Sequence, residues 1–434
     1  MGGSNAVCPV SCWTMFVVHT PCHPFKRLIL RGPRLCCIVG LALSLLIGPS
    51  FVIAGELSSA LAKLNNDLES LSTAPNMMGL GVCVIDNKAT RLLKVQGKRV
   101  IGGSPINAET RFRLASVSKG FAATTAVLLN QQGKLDLNTK VRSVVPYFTL
   151  PNATEVSKVT LTHLLSHRLG LPPNAYDNLL EAGRKPRDIV PRFSEVKALC
   201  PAAGCYGYQN VGFNLIAEAI ESQTGVTYQE QVEHRLLQPL AMADSGFGQD
   251  HLKHDDNWAR PHRGRGRFLR RSSVNDNYYR VPAAAGLNAS TQDLCRWLEA
   301  QLGAHPEVIS AQTLDQLRAP QVFTRAEMNR GRWRRTRLKS AHYGLGWRLY
   351  DYAGHSIVFH AGSVSGFGAV IAILPDDQVG LAAVWNSEST RPWGLLPSFL
   401  DSYFDLAEQD WMKLKSLKLS GAPAASSGTL APEP

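Results

Sequence analysis

The sequence predicts an α+β fold: one antiparallel sheet formed from both chain ends, flanked by helices, with a mainly helical insertion between its two halves. Three observations predict it. Near the start, residues 79–85 and 90–95 are rich in β-branched and apolar side chains and are joined by the turn Asp86-Asn87-Lys88-Ala89, the pattern of a β-hairpin. Near the far end, residues 356–361, 368–374 and 379–385 give three more strand-like runs, separated by Gly-rich and Pro375-Asp376-Asp377 turns. Between these groups the apolar residues recur at spacings of three and four, predicting helices over 119–130 and 211–223. No internal repeat is visible.

Ahead of the hairpin, Lys26, Arg27, Arg31 and Arg34 precede an apolar run over residues 35–54 that is broken by Gly48-Pro49 and ends in Val52-Ile53-Ala54. A basic stretch, an apolar stretch and small residues are the layout of a secretory signal peptide, cleaved here before Gly55. A membrane anchor through residues 35–54 is the competing reading, since about 20 apolar residues span a bilayer. Either reading of residues 1–54 predicts an exported protein, periplasmic or secreted. Cleavage leaves Cys83, Cys200, Cys205 and Cys295. In an oxidising compartment Cys200 and Cys205 either close a small loop or stay as two thiols, while Cys83, set among apolar neighbours, reads as strand core. Residues 416–434 are rich in Ser, Ala, Pro and Gly and predict a disordered tail.

With 434 residues, 44% of them hydrophobic, and 9 Cys, the chain is neither an intrinsically disordered polymer nor a disulfide-dense mini-protein. Its net charge of +12 is local. Residues 26–34 carry +4, residues 251–280 carry +5 and residues 325–339 carry +6, which leaves the rest slightly acidic. The two later segments read as solvated surface loops, with attraction to an anionic cell-envelope surface as the functional alternative. Nucleic acid is not expected as a partner, because that would require a cytoplasmic chain with a folded positive face.

The chemistry-bearing residues begin with Ser116-Val-Ser-Lys119 at the start of the helix over 119–130. Three residues of helix bring hydroxyl and amine to one face. A serine hydroxyl attacks a carbonyl only when a neighbouring base takes its proton, and a partly desolvated lysine can be that base. Tyr208-Gln-Asn210 opens the helix over 211–223, and His360-Ala361-Gly362-Ser363 lies on a late strand. Tyr206, two residues before Tyr208, is a rival phenol. Gly362-Ser-Val-Ser-Gly366 misses the nucleophile-elbow pattern by one position, so this stretch does not predict an α/β-hydrolase. His163 and His167 have the spacing of paired zinc ligands on a helix, but no Glu follows His163, and neither a metal nor an organic cofactor is expected.

These motifs together resemble the serine β-lactamase and penicillin-binding peptidase superfamily, specifically its class C type. That group includes D-alanyl-D-alanine carboxypeptidases of the same fold and family VIII carboxylesterases. FRLASVSKGF is similar to the nucleophile motif, YQNVGFNLIAEAIE to the Y-x-N motif, and HAGSVSGFGAVIAILPDDQVGLAAVWN to the third motif with its two following strands. THLLSHRLGLP, AAAGLNASTQDLCRWL and YGLGW fall in the same order as similar segments of that family. The resemblance covers nearly all of residues 75–410 and implies a β-lactamase/transpeptidase-like domain over 55–415. It implies Ser116 as the acylated nucleophile, Lys119 as its proton partner and Tyr208 as the phenol that shuttles a proton to the leaving group. Asn210 would orient substrate or Lys119, and the N–H groups of Ser116 and Ser363 would form the oxyanion hole, with His360 and Gly362 beside them in the substrate cleft. Class C β-lactamases usually carry Lys-Thr-Gly where this chain has His360-Ala361-Gly362. A His of ordinary pKa offers only part of a positive charge at neutral pH, and Ala361 removes a hydroxyl. The expected activity is therefore hydrolysis of a D-Ala-D-Ala-type peptide or a small ester or amide. A β-lactamase is the second reading, and a penicillin-binding-like receptor for cell-wall fragments is the reading without turnover.

Overall fold

The computed structural model describes residues 50–264 and 266–415. The tail over 416–434 and the leader over 1–54, up to position 49, therefore lie outside the described residues, and residues 50–54 belong to a helix. Among the described residues no helix is long and apolar enough to cross a membrane.

The chain enters through helix α1 (Ser50–Ser72), followed by the hairpin of β1 (Gly79–Asp86) and β2 (Ala89–Gly97). The helical insertion carries α2 (Ser118–Gln131), α3 (Asp177–Glu181), α4 (Val211–Thr224), α5 (Pro282–Ala285) and α6 (Thr291–Gln301). The chain then returns to the sheet through β3 (Val322–Phe323), a short helix α7 (Arg332–Arg337), β4 (Leu338–Tyr343), β5 (Arg348–Tyr352), β6 (His355–Val364), β7 (Phe367–Leu374) and β8 (Val379–Trp385). It closes with α8 (Leu395–Tyr403).

The eight strands form one sheet in the order β2-β1-β8-β7-β6-β5-β4-β3, antiparallel throughout. β1 pairs with β8, Leu80 opposite Trp385 and Asp86 opposite Val379, so both chain ends share the centre of the sheet as the sequence predicts. β1, β7 and β8 are buried along their whole length because helices cover both faces. One face, with Leu80, Val82 and Val84, packs on α1 and α8, and the other, with Cys83 and Ile85, packs on the helical insertion.

Two expectations need correction. Residues 325–339 are not a solvated loop: they contain α7 and the start of β4, and Arg330, Arg334 and Arg337 form ion pairs with Glu327 and Asp401. Cys83 is strand core, and it is also bonded to Cys295, tying β1 to α6. The Cys200–Cys205 bridge closes as well. A cross-link stabilises mainly by restricting the unfolded chain, and more so for a longer loop. The first bridge joins residues 212 apart and the second residues 5 apart. Cys83→Ala/Cys295→Ala is therefore expected to lose about 2–5 kcal/mol in urea unfolding, and Cys200→Ala/Cys205→Ala distinctly less. Equal losses would contradict the loop-length argument.

Candidate active site

Ser116 sits in a 3₁₀ turn, Ala115–Val117, immediately before α2. Ala115 adopts φ 47°, a left-handed conformation that costs a non-glycine residue about 1–3 kcal/mol. The surroundings hold it there. Ser118 Oγ donates to Ala115 O at 2.6 Å and accepts from Leu287 N at 3.0 Å, fixing the turn to the neighbouring strand. Ser116 is left half-buried at the head of the helix.

One turn on, Lys119 is fully buried. Its Nζ lies 3.3 Å from Ser116 Oγ, 2.7 Å from Asn210 Oδ1 and 3.0 Å from Ala284 O. Burial disfavours the ammonium, outweighs the attraction of Asp177 and, with repulsion from Arg348, holds the amine well below the usual lysine range. A neutral amine has two N–H donors and one lone pair. The carbonyl oxygens of Asn210 and Ala284 take the donors, so the lone pair is left for the Ser116 hydroxyl. Asn210 is oriented in turn, because its Nδ2 donates to Asp177 Oδ2 at 2.6 Å.

Of the two phenols, Tyr208 shares a hydrogen bond with Ser116, whereas the Tyr206 hydroxyl is buried without a partner among the described residues. The Tyr208 ring lies 4.7 Å from Lys119 Nζ. Burial pushes its hydroxyl up to about 12, against the opposing influence of Arg348 and of the Ser116 bond, so it remains protonated at neutral pH.

β6 supplies the other wall. Val364 pairs with Phe367 across a two-residue turn, so hydrogen bonding towards β7 runs through Val364, Gly362 and His360. The N–H of Ser363 is thereby turned to the opposite edge. On that edge β5 pairs only as far as Phe359, and residues 360–364 have no strand beside them. Gly362 faces the serine turn: a Cβ there would lie 2.1 Å from Leu114 O and 2.9 Å from Ser116 N. This contact brings the β6 backbone at Gly362, one residue before Ser363, against the Ser116 N–H.

His360 departs from expectation. It is fully buried, and burial together with Arg348 and Lys119 holds its ring well below the ordinary histidine value. Nδ1 lies 3.1 Å from Ala361 O, and Nε2 lies 3.2 Å from the Tyr343 hydroxyl and 3.1 Å from Arg348 Nη1. A neutral ring protonated at Nδ1 satisfies all three contacts. The part charge expected of His360 at neutral pH is therefore absent, and the cation is Arg348. Its Nε donates to Glu327 Oε2 at 3.2 Å, and its guanidinium lies 5.0 Å from the Tyr208 ring. Burial alone would raise the Glu327 carboxyl, but Arg348, Arg334 and Arg330 hold it down to about 2.

The histidine pair is not a helix face. The helix beginning at Leu161 stops at Leu165, and His167 has φ 57°. His163 Nδ1 accepts from Thr160 N, and His167 Nδ1 accepts from Gln209 N among the rings of Tyr208, Phe213 and Tyr343. Sequence reading missed Asp177, Tyr343, Arg348 and Glu327. Only YGLGW, which starts at Tyr343 and ends one residue before Arg348, carried a signal for any of them.

Three outcomes follow from this geometry. The amine must be neutral to accept a proton, so turnover of an ester should be present above its depressed pKa and fall as pH drops through it. Asp177→Asn keeps an acceptor for Asn210 but removes the charge that raises the Lys119 pKa. Its acid limb should therefore move to lower pH in a kcat/KM profile, and a shift to higher pH would contradict the assignment. Gly362→Ala should abolish acylation of Ser116 while costing about 1–3 kcal/mol of stability, because the methyl group collides with the serine turn.

A family model described as Beta-lactamase matches residues 64–396. The chain is 25% identical over 77% of its length to the unguisins hydrolase ungD' of Aspergillus campestris (strain IBT 28561), and 24% identical over 72% of its length to Protein flp of Staphylococcus aureus (strain MRSA252). It spans 64% and 60% of the lengths of these two relatives. Its fold is similar to that of an octameric penicillin-binding protein homologue from Pyrococcus abyssi, with TM-score 0.67 and 22% identity over 81% of this chain and 78% of that one. It is also similar to a D-stereospecific amidohydrolase from Streptomyces sp., with TM-score 0.60 and 19% identity over 75% of this chain and 94% of that one. The family match covers most of the chain and both clusters of strands, and the protein belongs to the beta-lactamase family.

Proposed function

We propose that the protein is an exported hydrolase that acylates Ser116 and then hydrolyses the acyl-enzyme, acting on a D-Ala-type peptide or another small amide or ester. The observation that carries this reading is the dry Lys119 amine, with both N–H donors occupied and its lone pair 3.3 Å from Ser116 Oγ. Ser116 Oγ attacks the carbonyl carbon as its proton passes to Lys119 Nζ, and the oxyanion is held by the N–H groups of Ser116 and Ser363. The tetrahedral centre collapses, the bond to the leaving group breaks, and the Tyr208 hydroxyl gives that group a proton and recovers one from Lys119. Water then repeats the sequence in reverse and releases the acid.

An amide substrate is favoured by the names of relatives, a D-stereospecific amidohydrolase and an unguisins hydrolase. The neutral His360 and the missing hydroxyl at Ala361 weigh against a β-lactamase. Export is favoured by the leader-like segment and by two disulfides, which persist in oxidising compartments. Exposed Arg270 and Arg271 would add attraction to an anionic envelope surface.

Labelling with a fluorophosphonate and a fluorescent penicillin, followed by turnover of p-nitrophenyl acetate, nitrocefin and a D-Ala-D-Ala peptide, tests the proposal. Wild type should label and turn over an ester or the peptide, Ser116→Ala should do neither, and Lys119→Met should lose at least about a hundredfold in kcat/KM. Absence of label on wild type overturns the nucleophile assignment. Rapid labelling with no turnover would identify a receptor, and efficient nitrocefin hydrolysis a β-lactamase.

A further inference from the structure

Successive residues of β6 face opposite sides of the sheet. His360 and Gly362 face the serine turn, so Ala361 and Ser363 face the side of α1 and α8. On that side they line a cavity of about 620 Å³, a size that takes a small organic ligand. Its walls come from α7 and from the segments around Arg391 and Trp411. Two residues link the cavity wall to the candidate active site. Gly362 lines it and also abuts Ser116 N. Arg348 passes round the open edge of β6, with its Nε on Glu327 in the cavity wall and its Nη1 on His360.

The lining is basic and aromatic. Five arginines line the cavity, and the one carboxylate among the lining residues, Glu327, is already shared by Arg330, Arg334 and Arg348. Nε of Arg334 and Nε of Arg391 are buried with no hydrogen-bond partner among the described residues. A buried guanidinium donor left unpaired is costly, and its fork geometry matches a carboxylate. Trp333, Phe359 and Trp393 supply apolar surface beside these donors.

We infer that this cavity is a second binding subsite, taking a carboxylate borne on an apolar or aromatic group of the substrate, which reaches it across the open edge of β6. The charge absent from His360 is thereby provided from the other face of the sheet. The inference names a feature of the substrate and so rests on the proposed hydrolase reading.

Binding can be measured apart from turnover. In Ser116→Ala protein, tryptophan fluorescence is titrated with 3-phenylpropionate and with the uncharged 3-phenylpropionamide, since Trp333, Trp393 and Trp411 line the cavity. The carboxylate should bind at least about tenfold more tightly than the amide, and Arg391→Gln should remove most of that preference, the loss of one charged hydrogen bond. Equal binding of the two probes, or a preference that survives both Arg391→Gln and Arg334→Gln, overturns the subsite. If Arg334→Gln lowers the Tm, Arg391→Gln alone decides. For the substrate role, the ratio of kcat/KM for p-nitrophenyl hydrogen glutarate to that for p-nitrophenyl butyrate should fall about tenfold in Arg391→Gln. An unchanged ratio with lost probe binding overturns the substrate assignment. Failure of wild type to turn over any ester or amide would defeat the hydrolase reading, while the titration would still decide whether the cavity binds anions.

Discussion

The candidate site depends on keeping one amine out of water. Lys119 would be a permanent cation on the surface, and each pKa unit by which burial lowers it corresponds to about 1.4 kcal/mol of differential interaction between its two protonation states. The fold arranges that burial with several parts. α2 carries the side chain inward, the end of α5 offers the Ala284 carbonyl, and Asn210 at the head of α4 offers its amide oxygen. Asp177 and Arg348 then oppose each other: the carboxylate favours the ammonium and the guanidinium disfavours it. Because desolvation is the largest influence, the balance falls on the neutral side. A packing change that let water reach Nζ would restore the charge and remove the base.

A second constraint is geometric. The serine turn and β6 approach so closely that only a glycine fits at position 362. This contact joins two backbone segments that lie far apart in sequence. It also makes β6 a partition, with His360 and Gly362 facing the serine turn and Ala361 and Ser363 facing a basic cavity. The strand's outer edge is open from residue 360 onward because β5 stops pairing at Phe359, and Arg348 uses that gap to touch both sides.

The charge distribution follows a related logic. Arg330 and Arg334 in the stretch over 325–339, with Arg348 from β5, converge on Glu327, a buried carboxylate that could not remain ionised alone. Three guanidinium groups around one carboxylate leave a positive excess, and it lies beside the strand whose motif position has a neutral His instead of a cation. The overall basicity of the chain thus lies partly in residues 26–34 and partly in the electrostatics of one cavity.

The sequence by itself determined the fold class, five of the eight strands of the central sheet (β1, β2, β6, β7 and β8) and the serine, lysine, tyrosine and asparagine that meet in the cleft. The strands were legible from local patterns of turns and apolar residues, and the four site residues from motifs that together resemble those of a known family. The tertiary structure alone decided the protonation states of Lys119 and His360, since pKa follows burial and neighbours that no local pattern encodes. It also decided that Cys83 meets Cys295, because a pairing across 212 residues has no signature in spacing. Asp177, Arg348 and Glu327 were illegible for the same reason. Each is an ordinary charged residue in sequence, and only the long-range closure of the sheet over the helical insertion gives it a partner.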